Sequence, residues 1–190
     1  MKKLLFNLAI IILLICLFAN CSTTSKIESF EKPGSELHSY NNVLIYCNFD
    51  NLKYRKQLED EFYKQFSRKN IVSIKSLDIF SPLQSYSDSE KNEILKSNNI
   101  EIIIEIKTIS TTSNNGDSNF LVVPSGGSFW ILGDSDVKVT VSFDITITDI
   151  IKQEKIFIGT ATYEEEDDEV SECLEEIFES LAEDMVKEHF

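Results

Sequence analysis

The chain has 190 residues, of which 42% are hydrophobic and 13 are phenylalanine. This composition can form a packed core, so we expect one globular domain and exclude a wholly disordered protein. The 32 acidic residues outnumber the 18 basic ones, which gives a formal net charge of −14. Nucleic acids and anionic lipid surfaces are bound through basic surfaces, so this charge argues against both as direct partners.

The first 20 residues have the pattern of an export signal. Lys2 and Lys3 precede an apolar run over residues 4–18, which only Asn7 interrupts. A basic start followed by such a run is typical of a secretory signal peptide. The alternative interpretation is an uncleaved membrane anchor, but the run of about 15 residues is shorter than the roughly 20 that a membrane-spanning helix needs.

A cysteine, Cys21, stands where this signal would be cleaved, at the end of Leu17-Phe18-Ala19-Asn20-Cys21. This segment resembles the signal of bacterial lipoproteins, in which the cysteine is lipidated and becomes the first residue of the mature chain. Ser22 follows it, and in that family a residue other than Asp at this position implies the outer membrane. The resemblance therefore implies a lipid anchor on the periplasmic side of the outer membrane, with the cell surface or inner membrane as alternatives.

Residues 22–42 are polar and contain Pro33-Gly34, so they predict a flexible tether. A random coil of about 20 residues would reach roughly 25 Å. We therefore divide the chain into a signal peptide at 1–20, the lipidated cysteine and tether at 21–42, and a single α/β domain at 43–190.

The first half of the domain predicts the order βαβαβ. Strands are expected at 43–49, at 71–74 with an extension toward 79–80, and at 100–109. The first helix is expected over 52–68, because Leu58, Phe62 and Phe66 recur at four-residue spacing. The second follows the capping box Ser87-Asp88-Ser89-Glu90 and ends near Asn98-Asn99. Such an order implies parallel strands joined by right-handed crossovers.

The second half predicts an antiparallel hairpin and a terminal helix. Residues 137–148 alternate strictly between apolar and polar side chains, which is typical of a strand with one wet face. Residues 156–163 return as its partner, and apolar residues at helical spacing follow from Val170 to Met185. The fold class expected is an α/β two-layer sandwich with an α+β tendency, a mixed sheet of about five strands and helices over one face.

Between these halves, residues 111–136 have little regular pattern. Two apolar stretches, 120–123 and 128–132, flank Pro124-Ser125-Gly126-Gly127, and we interpret the segment as a hairpin arm. The arm contains the only tryptophan, Trp130, beside Phe129. Exposed aromatic residues are common anchors of partner sites, so Phe129, Trp130 and Phe120 are the candidate partner-binding residues. The alternative is that the arm folds back and caps the sheet.

The order of elements behind a lipidated cysteine is similar to a group of small envelope domains. These are the activator lipoproteins of penicillin-binding proteins, the curli-secretion lipoprotein and the amino-terminal domain of the Tol–Pal β-propeller protein. The matching features are the strand at 43–49 with its helix, the strand at 100–109, and the hairpin at 137–163 with the helix after it. The resemblance covers about 120 residues and implies a non-enzymatic accessory role.

No combination of residues predicts catalysis. The mature chain has only His38, in the tether, and His189, beside the C-terminus, as candidate bases for a nucleophile. The acidic run at 164–169 lacks the ligand spacing of a calcium loop, and we expect Asp167 or Asp168 to cap the last helix instead. We expect no metal and no cofactor.

Two further cysteines, Cys47 and Cys173, belong to the domain, and both fall on apolar faces. We expect two buried thiols, although an exported protein could join them in a disulfide.

The function expected is that of a non-enzymatic accessory lipoprotein, which binds a protein partner in envelope assembly, transport or maintenance. A carrier of a small ligand or lipid, with a pocket between sheet and arm, is the alternative, and an enzyme is the third possibility.

Overall fold

The computed structural model describes residues 24–34, 37–49, 51–115, 118–122, 137–167 and 170–190. The strands are β1 (Thr24–Glu31), β2 (Asn42–Asn48), β3 (Val72–Lys75), β4 (Ile102–Asn115), β5 (Ser118–Val122), β6 (Val137–Asp149) and β7 (Glu154–Asp167). The helices are α1 (Leu52–Arg68), α2 (Ser76–Ile79), α3 (Asp88–Ser97) and α4 (Val170–His189), with a 3-10 turn at Leu37–Ser39.

All seven strands belong to one mixed sheet. Six of them lie in the order β1-β7-β6-β4-β2-β3, and β5 pairs with β4 outside this row. β2 is parallel to β3 and β4, whereas β4, β6, β7 and β1 are successively antiparallel. The predicted α/β fold with parallel units, a late hairpin and a C-terminal helix is confirmed. The sheet has two more strands than the five expected.

The main core lies between α1, α4 and one face of the sheet. Alternate residues of the strands point into it, which is why Ile102, Ile104 and Ile106 are fully buried. The opposite face carries polar residues over β6 and β7. Helix α3 covers part of this second face, where Leu44, Leu95 and Ile100 form a smaller core. The sequence predicted that the helices would lie on one face of the sheet. In the structure they lie on both faces.

Local sequence determines where the helices begin and end. The Ser87 hydroxyl accepts a hydrogen bond from the Glu90 amide, and the Glu90 carboxylate accepts from the Ser87 amide, which confirms the capping box. Asn99 follows α3 with φ of 53°, and Asn70 follows α1 with φ of 60°. Asparagine tolerates this left-handed conformation, so both chain reversals are encoded locally.

The predicted flexible tether is wrong for eight residues, because Thr24–Glu31 forms β1. This strand pairs with β7 along its whole length, from Thr24 opposite Glu164 to Glu31 opposite Phe157. Ile27 packs against the main core. The segment is polar because one face and the outer edge of β1 are uncovered within the described residues, so only a few apolar side chains are needed.

The structure also differs from the prediction in the first part of the arm. β4 continues to Asn115, and β5 turns back on it, with Thr111 opposite Val122 and Asn115 opposite Ser118. The first part of the arm is therefore an extension of β4 paired with β5, and residues 123–136, with the turn predicted at 124–127, lie outside the described residues. The pattern was obscured because Thr, Ser and Asn fill this end of β4.

Two smaller predictions need correction. The acidic run continues β7 as far as Asp167, which pairs with Val137 and so belongs to the strand and not to the start of the last helix at Val170. Asp168 lies outside the described residues. The extension of β3 toward residues 79–80 is replaced by the short helix Ser76–Ile79.

Candidate functional site

One end of the sheet combines the attachment point of the N-terminus with the β4–β5 hairpin. Thr24 lies opposite Glu164, Glu164 opposite Thr140, and Thr140 opposite Thr112. We call this the anchor end, because Cys21 is only three residues from Thr24. Three residues span at most about 11 Å, so a lipid on Cys21 would hold this end close to the membrane.

The structure places one predicted partner-binding residue at the anchor end. Phe120 lies in β5 opposite Ser113 of β4, one position beyond the Thr112 row. Phe129, Trp130 and Cys21 lie outside the described residues. The roles of these residues in partner binding and lipidation therefore stay predictions.

The other end of the sheet, which we call the distal end, contains the β6–β7 turn. Asp149 is buried there and accepts hydrogen bonds from the Tyr40 hydroxyl, at 2.6 Å, and from the Lys152 amide, at 2.8 Å. The Lys152 ammonium lies 3.0 Å from the same carboxylate. These contacts connect the segment before β2 to the turn.

Beyond the end of β3, the edge of β2 has no strand partner among the described residues. A buried carboxylate lies at this place. Glu59, on α1, is fully buried and accepts hydrogen bonds from the Cys47 amide at 3.3 Å and the Leu77 amide at 3.1 Å. The last β2–β3 pair is Ile45 with Lys75, so Glu59 replaces the missing strand at Cys47. Its charge is balanced by Arg55, whose Nε lies 3.2 Å from Glu59 Oε1.

Arg55 is held from three sides. Its Nη2 donates to the Ser76 hydroxyl at 2.7 Å, and its guanidinium lies over the Tyr46 ring, 5.1 Å from the centroid. The sequence analysis missed both Arg55 and Glu59. The signal was a glutamate next to Leu58 on the apolar stripe of α1, with an arginine four residues earlier.

Arg55 forms one wall of a cleft of about 680 Å³ on the second face of the sheet. The cleft lies between the sheet, α3 and the loop that joins α2 to α3. Its apolar floor includes Leu44, Leu95 and Ile103, and Phe80 and Tyr86 line the loop side. The carrier hypothesis placed a pocket between sheet and arm, whereas this cleft is on α3.

The two domain cysteines are buried thiols that form no disulfide with each other, which confirms the expectation of buried thiols. Burial raises the pKa of the Cys47 thiol well above its usual range, and the nearby Glu59 carboxylate raises it further. A thiol that stays protonated is a poor nucleophile, so Cys47 serves the core.

Helices α1 and α4 form an acidic groove of about 390 Å³ on the covered side of the sheet. Asp60 and Glu61 of α1 face Glu175 and Glu179 of α4 across it. Lys64 partly balances this charge, since its Nζ lies 2.9 Å from Glu61 and 3.2 Å from Glu179. The groove is a second surface where a basic partner could bind.

The two histidines considered as candidate bases belong to different elements of the described structure. His189 contacts Glu31 of β1 through Nδ1, at 2.5 Å, and so connects the end of α4 to the edge strand. His38 lies in the 3-10 turn. Among the described residues, no three His, Cys, Asp or Glu side chains come together as a possible metal site.

Among the described residues, no helix is both long enough and apolar enough to cross a membrane.

Comparison with known proteins gives no match to a family model and none to a curated protein sequence. Solved structures do match. A PelC dodecamer from Paraburkholderia phytofirmans is 11% identical, with a TM-score of 0.50, and the match covers 86% of this chain and 95% of that one. A leucine-to-methionine variant of PelC, also a dodecamer, is 11% identical with a TM-score of 0.51, covering 86% and 96%.

Lipoprotein GNA1162 from Neisseria meningitidis is 11% identical with a TM-score of 0.45, covering 77% of this chain and 98% of that one. The two PelC structures show that this chain shares their fold over most of its length, and at 11% identity the likeness concerns the fold alone.

Proposed function

We propose that the protein is a lipid-anchored accessory protein of the bacterial envelope, which acts without catalysis by binding a protein partner. Cys21 would hold it on the periplasmic side of the outer membrane, where it serves envelope assembly, transport or maintenance. The observation that supports this most is the anchor end. The first residue of an edge strand follows Cys21 by three residues, at the end of the sheet from which β5 turns back on β4.

This arrangement favours a partner at the membrane. A connection of at most about 11 Å keeps the anchor end near the bilayer and leaves little freedom to search the periplasm. Residues of the strands at that end, Phe120 among them, would be held at high local concentration against proteins in the same membrane. Another copy of this chain is one such partner to test, because the PelC structures with the same fold are described as dodecamers.

The carrier of a small ligand or lipid is the second candidate function, and the cleft beside α3 is the observation in its favour. A short connection to the membrane argues against a carrier that moves lipid between membranes, since such transfer needs reach. The cleft suits a ligand that binds while the protein stays in place.

The test is photo-crosslinking of the full-length protein in its native cells. A photoreactive residue replaces Asn114, at the anchor end, or Ile151, in the turn at the distal end. We expect a discrete membrane-protein adduct, or an adduct with a second copy, from position 114 and much less from position 151. Replacing Cys21 with alanine should release the protein from the membrane and abolish the adduct.

The double variant Phe129→Ser/Trp130→Ser then tests the predicted arm. It should reduce the adduct from position 114 without a change in melting temperature. Membrane attachment that survives Cys21→Ala would refute the lipid anchor. Equal adducts from positions 114 and 151 would refute the anchor end as the partner site, and the acidic groove between α1 and α4 would be tested next.

A further inference from the structure

We propose that the cleft beside α3 is a binding site for a small amphipathic anion, with a flat apolar body and one carboxylate, sulfonate or phosphate group. Its volume of about 680 Å³ lies within the roughly 300–1,000 Å³ of small-molecule sites. This site goes beyond the partner-binding function proposed above, and ligand binding does not depend on that function.

The apolar half of the cleft fits a flat ligand body. Leu44 and Ile103 come from adjacent parallel strands, and Leu95 approaches them from α3. Phe80 and Tyr86 pack edge to face, with ring centroids 5.4 Å apart, and so stiffen the loop that closes one side. Aromatic and aliphatic side chains of this kind contribute most to binding when an apolar ligand group displaces the water that covers them.

The polar half is built around Arg55. Its side chain is only 13% exposed, and its contacts with Glu59, Ser76 and Tyr46 fix the plane of the guanidinium. Arginine has five N–H donors, and in the described part of the chain its hydrogen bonds to Glu59 and Ser76 use two of them. The donors that remain are held in a fixed orientation, which suits the planar recognition of an oxyanion.

The balance of charge also favours an anion. Glu105, the carboxylate in the cleft lining, has a cationic partner in Lys107, whose Nζ lies 3.0 Å away, and Glu59 is already paired with Arg55. Lys91 of α3 lines the cleft and has no ion pair among the described residues. The site therefore has one unpaired cation in a protein whose net charge is −14.

The position of the cleft indicates a free molecule and not a headgroup of the anchoring membrane. Ile103, in the floor, and Thr112, in the anchor-end row, are nine residues apart on β4. At about 3.3 Å per residue the separation is roughly 30 Å. A ligand in the cleft would thus lie well away from the bilayer. This step alone rests on the proposed lipid anchor at Cys21.

The test follows the Ile103 methyl signal by NMR in the full-length protein, held in nanodiscs of neutral phosphatidylcholine. The probe is naphthalene-2-sulfonate, and Ile177 in the main core is the internal reference. We expect a saturable shift of Ile103 with a Kd below about 1 mM and no shift of Ile177. The uncharged naphthalene-2-sulfonamide should bind at least about fivefold more weakly.

Two charge reversals on α3 provide a matched pair. Lys91→Glu should weaken binding of the sulfonate about fivefold or more, whereas Lys96→Glu, outside the cleft on the same helix, should change it less than about twofold. Arg55→Lys keeps a cation beside Glu59 but removes the planar donors, so we expect roughly tenfold weaker binding.

Four results would overturn the proposal. They are no saturable shift of Ile103 at millimolar sulfonate, equal binding of sulfonate and sulfonamide, equal effects of the two α3 variants, or unchanged affinity in Arg55→Lys. Nanodiscs that contain phosphatidylglycerol test the source of the anion. A shift of Ile103 caused by this lipid alone, without probe, would overturn the assignment to a free molecule.

Discussion

Asp149 shows how a single buried carboxylate makes the folding of this protein depend on pH. Burial alone raises its pKa, but the Tyr40 hydroxyl, the Lys152 amide and the Lys152 ammonium together outweigh burial. They lower the pKa of Asp149 from 3.8 to about 2. A carboxylate with a depressed pKa stabilises the fold above its ordinary pKa, and this stability is lost as the pH falls through the folded value.

We therefore predict that Asp149→Asn lowers the free energy of unfolding at pH 7 by roughly 1–2 kcal/mol, a figure reduced because the Lys152 ammonium is exposed. The difference from the parent should disappear between pH 4 and pH 2, where the parent binds the proton. Urea unfolding at several pH values measures this. Asp144→Asn, on the exposed face of the same strand, is the control, and an equal loss there would mean that only net charge matters.

For individual residues, contacts between near neighbours in the chain could be predicted from the sequence, whereas contacts between distant residues could not. The capping box of α3 and the asparagines that end this helix were predicted because each contact lies within three or four residues. The Glu59 cluster was missed because its partners Cys47 and Ser76 are 12 and 17 residues away. The buried carboxylate is satisfied only once two strands and a helix have met.

Among the elements, the strands predicted correctly are those whose own residues carry a clear pattern. β6 alternates between the core and the wet face over its whole length, so its bounds could be predicted to within one residue. β1 has no such pattern, since among its residues 25–31 only Ile27 packs against the core. Its partner residues in β7 are 126 to 140 positions away, and no local signal indicates that pairing.

We predict that Ile27→Asp destabilises the protein by about 2 kcal/mol, because it places a charge against the main core. Amide protons of β1 should then exchange faster than in the parent. Lys26→Asp introduces the same residue on the exposed face and should unfold near the parent's urea midpoint. If residues 24–31 were a random coil, the two variants would behave alike, and that result would refute the pairing of β1 with β7.

The whole molecule is organised by the direction of its strands. The βαβαβ order was enough to predict the parallel strands and the helices that join them, although not that α3 covers the second face of the sheet. It could not predict that the N-terminal strand adds to the far edge and returns the chain to the end where β5 turns on β4. That placement turns a presumed tether of roughly 25 Å into a connection of three residues.

The length of that connection is itself testable. Inserting 20 Gly/Ser residues between Ser22 and Thr23 adds roughly 25 Å of root-mean-square reach. The insertion therefore lowers the effective concentration of the anchor end at the membrane. We predict an unchanged melting temperature, since no described contact involves these residues, and a several-fold loss of the adduct formed from position 114. The same linker placed after Phe190 should leave the adduct intact. An adduct that survives the N-terminal insertion would mean that the partner finds its site from solution, and that proximity to the lipid is not what brings the two together.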